Sequence, residues 1–285
     1  MRRTSVAEER VLSIVKDYYG RMAKHEKERL QQDPYHSIEF IMTNYFLERY
    51  LPEDGLVLDA GGGTGRYTVT LAKRGYDIVL LDITPKLLTI AKREILNAKV
   101  QSHVKCITEG SITNLPEFSD ETFDAVLCLG GPLNHILNRG QRNRALQEFV
   151  RVAKRGAPIF ISVISRLGLM TTILVVTPDE IQDCKHHLET GDYIPGVTPR
   201  REVKGFTAAH WFLPEELRNL CEENGIEVLD MAALEGLSSH HWKETNLIAK
   251  DRKKWRMWIE ILRRTCNDPS IIGSSEHFLV VGKKP

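Results

Sequence analysis

The sequence predicts an α/β fold in which helices cover both faces of a parallel, doubly wound sheet. From residue 56 to residue 164, short apolar runs typical of buried strands alternate with amphipathic runs typical of helices. A glycine-rich segment, VLDAGGGTGRYT, connects the first strand pattern to the first helix pattern. At 285 residues, with 42% hydrophobic and 27% charged side chains, the chain is long enough for such a sheet and an added cap.

Two helices are predicted before the sheet. Val6 to Gln32 has apolar residues at helical spacing, and Asp33-Pro34 ends the pattern. A second helix, Ile38 to Tyr50, stops before the turn into the first strand. This region is rich in aromatic side chains, which either pack the helices onto the core or form a lid over a substrate. The candidates for the substrate side are Tyr18, Tyr35 and Tyr45.

The sheet is predicted from five strand patterns. They are Leu56 to Leu58, DIVLLD at 77–82, VKCITE at 104–109, FDAVLCLG at 123–130 and PIFISVI at 158–164. Helices are predicted between them, including LLTIAKREIL at 87–96 and Arg142 to Lys154. Ligands of such sheets bind at the carboxyl ends of the strands, where Asp59, Asp82, Ser111 and Gly130 would converge.

The glycine loop predicts a site for a polar ligand. Gly61, Gly63 and Gly65 remove Cβ where the chain turns sharply beside a helix N-terminus with free N–H groups. Asp59 places a carboxylate beside the loop, which would attract an ammonium or sulfonium and repel a pyrophosphate. Asp82, at the end of the next strand, is suited to accept hydrogen bonds from both hydroxyls of a ribose. A nucleoside that carries positive charge fits both carboxylates.

A dinucleotide fits the same loop less well. In the G-x-G-x-x-G fingerprint counted from Gly61, the third glycine is replaced by Arg66. An NAD(P)-dependent oxidoreductase therefore stays as an alternative that Arg66 and Asp59 argue against.

The pattern D-x-G-x-G-x-G, followed by an acidic residue at the next strand end, resembles class I S-adenosylmethionine (SAM)-dependent methyltransferases. The similarity extends through FDAVLCLGGPLNHI at 123–136 and more loosely through HWFLPEELRNLCEENGIEV at 210–228. The resemblance implies a Rossmann-like, seven-stranded sheet, SAM as cofactor and methyl transfer as the activity. It also implies a last strand, His277 to Gly282, that pairs antiparallel between its neighbours.

The resemblance assigns further residues to the cofactor. Ile83 and Ile112 would sandwich the adenine, although both are equally compatible with the core. Ser111 stands where many relatives carry an acidic residue that binds the adenine amino group. Leu129 and Gly130 occupy the position that holds the methionine part. These cofactor contacts are expectations that follow from the resemblance.

One histidine is a candidate base. His135 follows the fourth strand, and imidazole needs the least pKa adjustment to act near neutral pH. A capping or packing role is the alternative. The pairs His186-His187 and His240-His241 point in different directions on a helix, and no cysteine or acidic pair completes a site, so no metal is expected.

The chain is predicted to be one methyltransferase domain, 1–285, with four parts. These are an N-terminal helical lid (1–52), a cofactor-binding core (53–164), a cap insertion (165–209) and the C-terminal part of the core (210–285). The lid, the insertion and the pair His210-Trp211 are expected to form the wall that faces the methyl group.

A basic helix, Lys250 to Arg264, carries seven basic and two acidic residues. Trp255, Trp258, Ile259 and Leu262 repeat at helical spacing, which favours docking on the body; a surface for RNA or an anionic membrane is the alternative. The net charge of the whole chain, +1, gives no global basic field and favours a small-molecule acceptor over nucleic acid.

Two further features concern the environment of the chain. Five cysteines lie scattered without a C-x-x-C pair, which favours reduced thiols and a cytoplasmic location. No run reaches the ~20 apolar residues of a membrane span. The leading hypothesis is a SAM-dependent methyltransferase with a small or medium-sized acceptor; a non-catalytic SAM-binding scaffold is a further alternative. The sequence carries no signal for the acceptor atom or the oligomeric state.

Overall fold

A computed structural model describes residues 6–29, 31–197 and 206–285 of the chain. Seven strands form one sheet in the order β3-β2-β1-β4-β5-β9-β8, and β6 pairs with β7 in a separate two-stranded sheet. The strands are β1 Leu56–Ala60, β2 Asp77–Asp82, β3 Val104–Glu109, β4 Ala125–Cys128, β5 Pro158–Ile164, β6 Asp192–Tyr193, β7 Ala209–His210, β8 Glu227–Ala233 and β9 His277–Lys283.

The sheet is parallel except for β9, which runs antiparallel to both of its neighbours, β5 and β8. This confirms the expected position of the last strand. It also separates the fold from the all-parallel 3-2-1-4-5-6 order of dinucleotide-binding domains. The seven-stranded Rossmann-like sheet is therefore the architecture of this chain.

Helices cover both faces of the sheet. They are α1 Val6–Arg29, α2 Ser37–Tyr50, α3 Arg66–Ala72, α4 Pro85–Ala98, α5 Arg139–Val152, α6 Arg166–Val176, α7 Cys184–Thr190, α8 Pro214–Glu223, α9 Trp242–Ala249, α10 Arg252–Thr265 and α11 Pro269–Ile272. Short 3₁₀ helices lie at Gln101–His103, Pro132–His135, Pro178–Asp183 and Gly236–Ser238.

Alternate residues of the buried strands feed two cores. Leu58 packs with Phe149 of α5 on one face, whereas Val57 packs with Phe46 of α2 on the other. All four side chains are fully buried. At roughly 25 cal/mol per Å² of apolar surface, this two-sided burial is the main force that holds the helices to the sheet.

Helix α10 docks on the body, as its apolar spacing predicts. Ile259 and Leu262 are buried in the core on the α2 face, and Trp255 and Trp258 pack against the same core. Asp251 begins the helix, because its carboxylate accepts hydrogen bonds from the N–H groups of the first turn.

Several predicted boundaries differ from the structure by a few residues, such as the end of β1, which lies at Ala60 and not at Leu58; two of the differences have a clear local cause. Helix α5 begins at Arg139, three residues before the predicted start, because the Asn138 side chain accepts a hydrogen bond from Gln141 N and caps the helix there. Strand β4 ends at Cys128, because Gly130 and Gly131 turn the chain with left-handed φ values of +79° and +87°.

The predicted cap insertion contains α6, α7 and β6, and its residues 198–205 lie outside the described part of the chain, as do residues 1–5 and 30 of the predicted lid. The first turn of α6 belongs to the body. The Arg166 guanidinium donates to Glu216 of α8 at 2.6 Å and to the carbonyl of Trp211 at 3.0 Å. Among the described helices, none combines the length and the apolar character that crossing a membrane requires.

Candidate active site

The glycine loop follows β1 and crosses the carboxyl end of β2. The N–H of Gly61 donates to the carbonyl of Leu81 at 2.7 Å, which fixes the loop to the neighbouring strand. Gly65 starts α3 at φ +78°, and a Cβ there would lie 3.1 Å from the Cβ of Ala91 in α4. Gly65 therefore permits close packing of the loop on α4, which is a role in the fold, and it does not line the cavity beside the loop.

Asp82 is held rigidly at the end of β2. Its Oδ2 accepts a hydrogen bond from Gly63 N at 3.0 Å and its Oδ1 accepts one from Thr84 N at 2.8 Å. Burial raises the pKa of this carboxyl. Gly63 has φ +54°, and a Cβ there would stand 3.9 Å from Asp82 Oδ2, in the space in front of the carboxylate. Each oxygen keeps lone-pair capacity for a ligand.

Asp59 lies beneath the loop and not in the cavity. Its Oδ2 accepts hydrogen bonds from Thr68 N at 3.1 Å and Thr68 Oγ1 at 2.6 Å, which ties β1 to the first turn of α3. Burial raises the pKa of Asp59 to about 6. The carboxylate therefore supports the loop from below. It does not line the cavity, so the expected direct contact with a cationic ligand is not possible there.

A first cavity opens above the loop. Of the residues expected to bind the cofactor, it is lined by Gly61, Gly63, Asp82, Ile83, Ser111, Ile112, Leu129 and Gly130, together with His135. Helix α1 covers it with Leu12, Val15 and Tyr19. Two ion pairs fix this helix: Lys16 lies 2.9 Å from Glu109 at the end of β3, and Lys27 lies 2.8 Å from Glu94 of α4.

Ile83 and Ile112 differ in burial, and Ser111 is engaged locally. Ile112 is 6% exposed and belongs to the core on the α5 face, whereas Ile83 is half-buried. The Ser111 hydroxyl lies 2.9 Å from Thr113 Oγ1. All three side chains still contribute to the cavity wall.

His135 and Tyr19 form a hydrogen-bonded pair. The His135 Nδ1 lies 2.9 Å from the carbonyl of Ala208, so this nitrogen carries the hydrogen, and Nε2 accepts the Tyr19 hydroxyl at 2.7 Å. Burial lowers the pKa of His135 to about 4, so the ring is neutral near pH 7. The expected base therefore lines the first cavity itself and reaches the second only through Tyr19.

A second cavity adjoins the first. The two share Tyr19, Glu26, Arg29 and Gly130. Helix α6 contributes Leu169, Thr172 and Ile173 to its wall, and aromatic side chains from separate parts of the chain contribute Tyr35, Tyr193, Phe206 and Trp211. Its floor carries Glu39, Glu235, Glu276 and His277.

The residues expected on the substrate side divide into two groups. Tyr35 and Trp211 line the second cavity. Tyr18 packs edge-on against Phe206, with ring centroids 5.6 Å apart. Tyr45 lies outside both cavities, because α2 turns it toward α10, where the Arg263 guanidinium stacks 5.0 Å from its ring centroid.

His210 is buried under the cap. Its ring nitrogens lie 2.6 Å from Asp192 of β6 and 2.6 Å from Glu216 of α8. It therefore connects the small sheet to the body and does not line either cavity.

The floor of the second cavity is an ion-pair network. Arg29 donates to Glu39 at 2.7 Å, and His277 Nδ1 lies 2.8 Å from Glu235. Burial alone would lower the pKa of His277, but Glu235 and then Glu39 raise it to about 9. Burial and the neighbouring Glu235 raise the pKa of Glu276 to about 7.

Sequence reasoning missed most of this floor. Arg29 and Glu39 belong to two different helices, and Glu235 and His277 lie far away in the C-terminal part, so no spacing rule connects the four. Tyr19 is not among the candidates that the sequence predicts, although its neighbour Tyr18 is. The pattern of α1 alone does not show which of two adjacent tyrosines faces the sheet. The only available signal was the rarity of a buried charge in an apolar pattern, as at Glu39 of IEFIMTNYF.

The comparisons with known proteins agree with this geometry. A family model described as a methyltransferase domain matches residues 57–156. The chain is 31% identical over 199 residues to a ubiquinone biosynthesis O-methyltransferase of Hahella chejuensis, covering 68% of this chain and 75% of that protein. It is 33% identical over 111 residues to a glycine/sarcosine N-methyltransferase of Parasynechococcus marenigrum, covering 38% of each chain.

Among solved structures, a SAM-dependent methyltransferase from Methanosarcina mazei aligns with a TM-score of 0.59 at 20% identity. The alignment covers 84% of this chain and 96% of that one. At this identity the likeness concerns the fold.

The fold and the relatives together define a class I methyltransferase. The chain belongs to the SAM-dependent methyltransferase family, whose cofactor is SAM. To judge by their names, these two relatives methylate small molecules, one on nitrogen and the other on oxygen. The chain spans little more than a third of the glycine/sarcosine enzyme that it matches.

Proposed function

We propose that this protein transfers the sulfonium methyl group of SAM to a small or medium-sized acceptor bound in the second cavity. The observation that carries the proposal is the junction of the two cavities at Tyr19, Arg29 and Gly130. One cavity presents the residues expected to bind the cofactor, and the other is built from α1, α6 and the C-terminal part of the chain. A methyl group at the junction can therefore face a second ligand.

In this proposal, the first cavity binds SAM along the carboxyl ends of β1 to β4. Asp82 accepts the ribose hydroxyls, for which its fixed and nearly buried carboxylate has free lone pairs. Ile83 and Ile112 flank the adenine, and Ser111 supplies a polar contact at its edge. Leu129 and Gly130 hold the methionine part, while the loop from Gly61 to Thr64 lets the backbone approach the ligand.

Methyl transfer requires alignment more than activation. Bound SAM supplies a methyl group that its positively charged sulfur already activates. The protein contributes orientation, which can be worth up to ~7 to 11 kcal/mol for well-aligned reactants. We assign this role to Gly130, which leaves the junction unobstructed, and to α1, which covers the cofactor side with Leu12 and Val15 and keeps water out.

A proton must leave only if the acceptor nucleophile is protonated. In that case Tyr19 is the group at the junction, and His135 accepts its hydroxyl hydrogen bond at 2.7 Å. His135, hydrogen-bonded to Ala208, keeps Nε2 free of hydrogen and so aims the Tyr19 hydroxyl. We propose that His135 supports catalysis through Tyr19: the proton of the nucleophile would pass to the Tyr19 oxygen while the hydroxyl hydrogen of Tyr19 passes to His135 Nε2.

The acceptor proposed is a small molecule and not a nucleic acid. The second cavity is bounded by aromatic side chains of separate segments, and the basic helix α10 uses its apolar face against the body. All five cysteines are free thiols in the structure, which suits the proposed cytoplasmic location.

Calorimetry with SAM, S-adenosylhomocysteine and NAD tests the proposal directly. We expect both adenosyl compounds to bind with a stoichiometry of one and NAD to give no heat. Incubation with SAM and a panel of small acceptors should then release S-adenosylhomocysteine. Binding of NAD without SAM would reject the proposal in favour of an oxidoreductase; SAM binding without turnover on any acceptor would favour the non-catalytic alternative.

A further inference from the structure

The second cavity has more acidic than basic groups on its floor. Four carboxylates, those of Glu26, Glu39, Glu235 and Glu276, face it together with two cations, Arg29 and the protonated His277. The other ionisable side chains on its wall are Tyr19, His25, Tyr35, His36, Glu180, His187 and Tyr193. None of these seven is an arginine or a lysine.

Both cations are already committed to carboxylates. Arg29 lies 2.7 Å from Glu39 and 3.5 Å from Glu26, and His277 lies 2.8 Å from Glu235. Because each cation is shared within these pairs, the excess negative charge stays on the floor. Buried negative charge without a counter-ion is unfavourable, so these carboxylates favour a positively charged ligand.

Among the described residues, Glu276 has no close cationic partner; its pKa of about 7 leaves it partly ionised at neutral pH, and a bound ammonium would stabilise the ionised form. One of its oxygens accepts a hydrogen bond from the neutral Tyr35 hydroxyl, and the other lies 3.7 Å from His240 Nε2. Burial lowers the pKa of His240, so that ring is neutral and provides no counter-charge. Within the described residues, no lysine or arginine forms an ion pair with Glu276.

A second and independent feature lies at Glu39. This residue is 2% exposed, and its Oε2 is occupied by Arg29. Its Oε1 is buried and has no hydrogen-bond partner among the described residues, while the residue lines the cavity. A buried carboxylate oxygen without a donor is a strong acceptor for a ligand N–H group.

The geometry points to an acceptor that carries a protonated amine, whose ammonium group binds at Glu39 and Glu276 on the floor of the second cavity. This inference rests on the proposed function, since it names the class of molecule that the methyltransferase would accept. Tyr193 and Trp211 on the wall of the same cavity add aromatic faces, which attract organic cations.

A metal ion suits the floor less well than an ammonium. Ligand atoms of Glu39, Glu235 and His277 lie within 4.8 Å of one another. Binding of a metal by His277 would require the loss of a proton from a ring whose pKa is raised to about 9 and whose Nδ1 already contacts Glu235.

The experiment compares ligands that share a ring and a spacer and differ in the charged group at one end. Tyramine and 3-(4-hydroxyphenyl)propionate share a phenol and a two-carbon spacer, and 2-phenylethylamine and 3-phenylpropionate form a second pair. Each is titrated by calorimetry into the protein saturated with S-adenosylhomocysteine. We expect the amine of each pair to bind at least about tenfold tighter than its carboxylate, as for a charge-assisted contact.

The variant Glu276→Gln removes the charge and keeps an oxygen for the Tyr35 hydroxyl. We expect it to reduce the preference for the amine by about tenfold, while SAM affinity stays within about threefold. Glu53→Gln is the matched control, because Glu53 is exposed in the turn before β1, at the opposite edge of the sheet. Glu39→Gln is a poorer test, since it would leave Arg29 without its partner.

The outcomes separate this inference from the proposed function. Tighter binding of the carboxylates, or an amine preference that Glu276→Gln leaves unchanged, would overturn the inference while SAM binding keeps the proposed function. Failure to bind SAM would reject the proposed function itself. Titration of Mg²⁺ and Zn²⁺ into the same protein completes the test: binding of either ion that prevents amine binding would show a metal centre in place of an amine site.

Discussion

The two cavities of this protein are built in different ways. The first cavity, which we propose for the cofactor, takes most of its wall from one stretch, matched by the family model over residues 57–156, and α1 covers it. The second cavity, which we propose for the acceptor, combines α1, α2, α6 and the start of β9, whose residues are separated by up to 258 positions along the chain, from Tyr19 to His277. Local motifs specify the first cavity, and only tertiary packing assembles the second.

The largest expected effect tests the cofactor side. Asp82→Ala should weaken SAM binding by roughly 2 to 4 kcal/mol, because two charge-assisted contacts to the ribose are lost with partial replacement by water. Calorimetry measures the change. Asp77→Ala is the matched control, since Asp77 lies at the opposite end of the same strand and pairs with Lys105 on the surface. Equal SAM affinity in the wild type and Asp82→Ala would show that β2 does not bind the ribose.

The second prediction concerns the effect of Glu276, on the floor of the second cavity, on the stability of the protein. A carboxyl whose folded pKa is raised binds its proton more tightly in the native state, so its ionisation destabilises the fold as pH rises from about 4.5 to about 7. Glu276→Gln mimics the protonated form. Relative to wild type, this variant should therefore gain free energy of unfolding with rising pH, by about 2 kcal/mol between pH 5 and pH 8.

Urea unfolding of both proteins at several pH values measures this difference. Comparison with the wild type cancels groups that titrate alike in both, such as His135. Glu53→Gln serves again as the control and should follow the wild-type curve. A difference that stays constant with pH would mean that Glu276 keeps an ordinary pKa and that the floor is better solvated than its burial indicates.

The third prediction tests the junction between the cavities. Tyr19→Phe removes the hydroxyl that His135 accepts at 2.7 Å, at a position that lines both cavities. We expect turnover to fall by about tenfold, or about 1.4 kcal/mol, with SAM affinity changed less than threefold. Tyr18→Phe, one residue earlier on the same helix, should have no effect. The same loss in both variants would indicate a general disturbance of α1.

The sequence predicted the strands of the core well for a physical reason. DIVLLD and PIFISVI are strands with the predicted ends, because continuous apolar runs and their flanking breakers act locally. VKCITE, a partly exposed strand at the edge of the sheet, also has the predicted ends. The sequence did not show that two glycines of one loop have different roles. Gly63 lies beside Asp82 at the first cavity, whereas Gly65 allows close packing on α4.

The acceptor side was predicted only in outline. The wall of N-terminal helices and cap stays a prediction: α1 and α6 line the second cavity, but α1 also covers the first, and Tyr45 and His210 serve packing and the small sheet. Helical periodicity shows which face of a helix is buried, but not which other element of the fold covers that face. The charges of Arg29, Glu39, Glu235 and His277 become meaningful only when the fold brings them together.

The smallest expected effect concerns α10, the feature that both cavities leave out. Its charged face is exposed, while Ile259, Leu262 and the two tryptophans hold the helix to the body. Replacing Lys253, Lys254 and Arg256 with serine therefore removes three charges from solvent and little packing. We expect the free energy of unfolding to change by less than about 1 kcal/mol in urea and SAM binding to stay the same, as for exposed helix positions. Wild-type protein should bind neither single-stranded RNA nor anionic vesicles measurably at physiological salt. If it binds either one and the triple variant loses that binding, with a steep dependence on salt, then α10 is a docking surface and the acceptor is to be sought on a macromolecule.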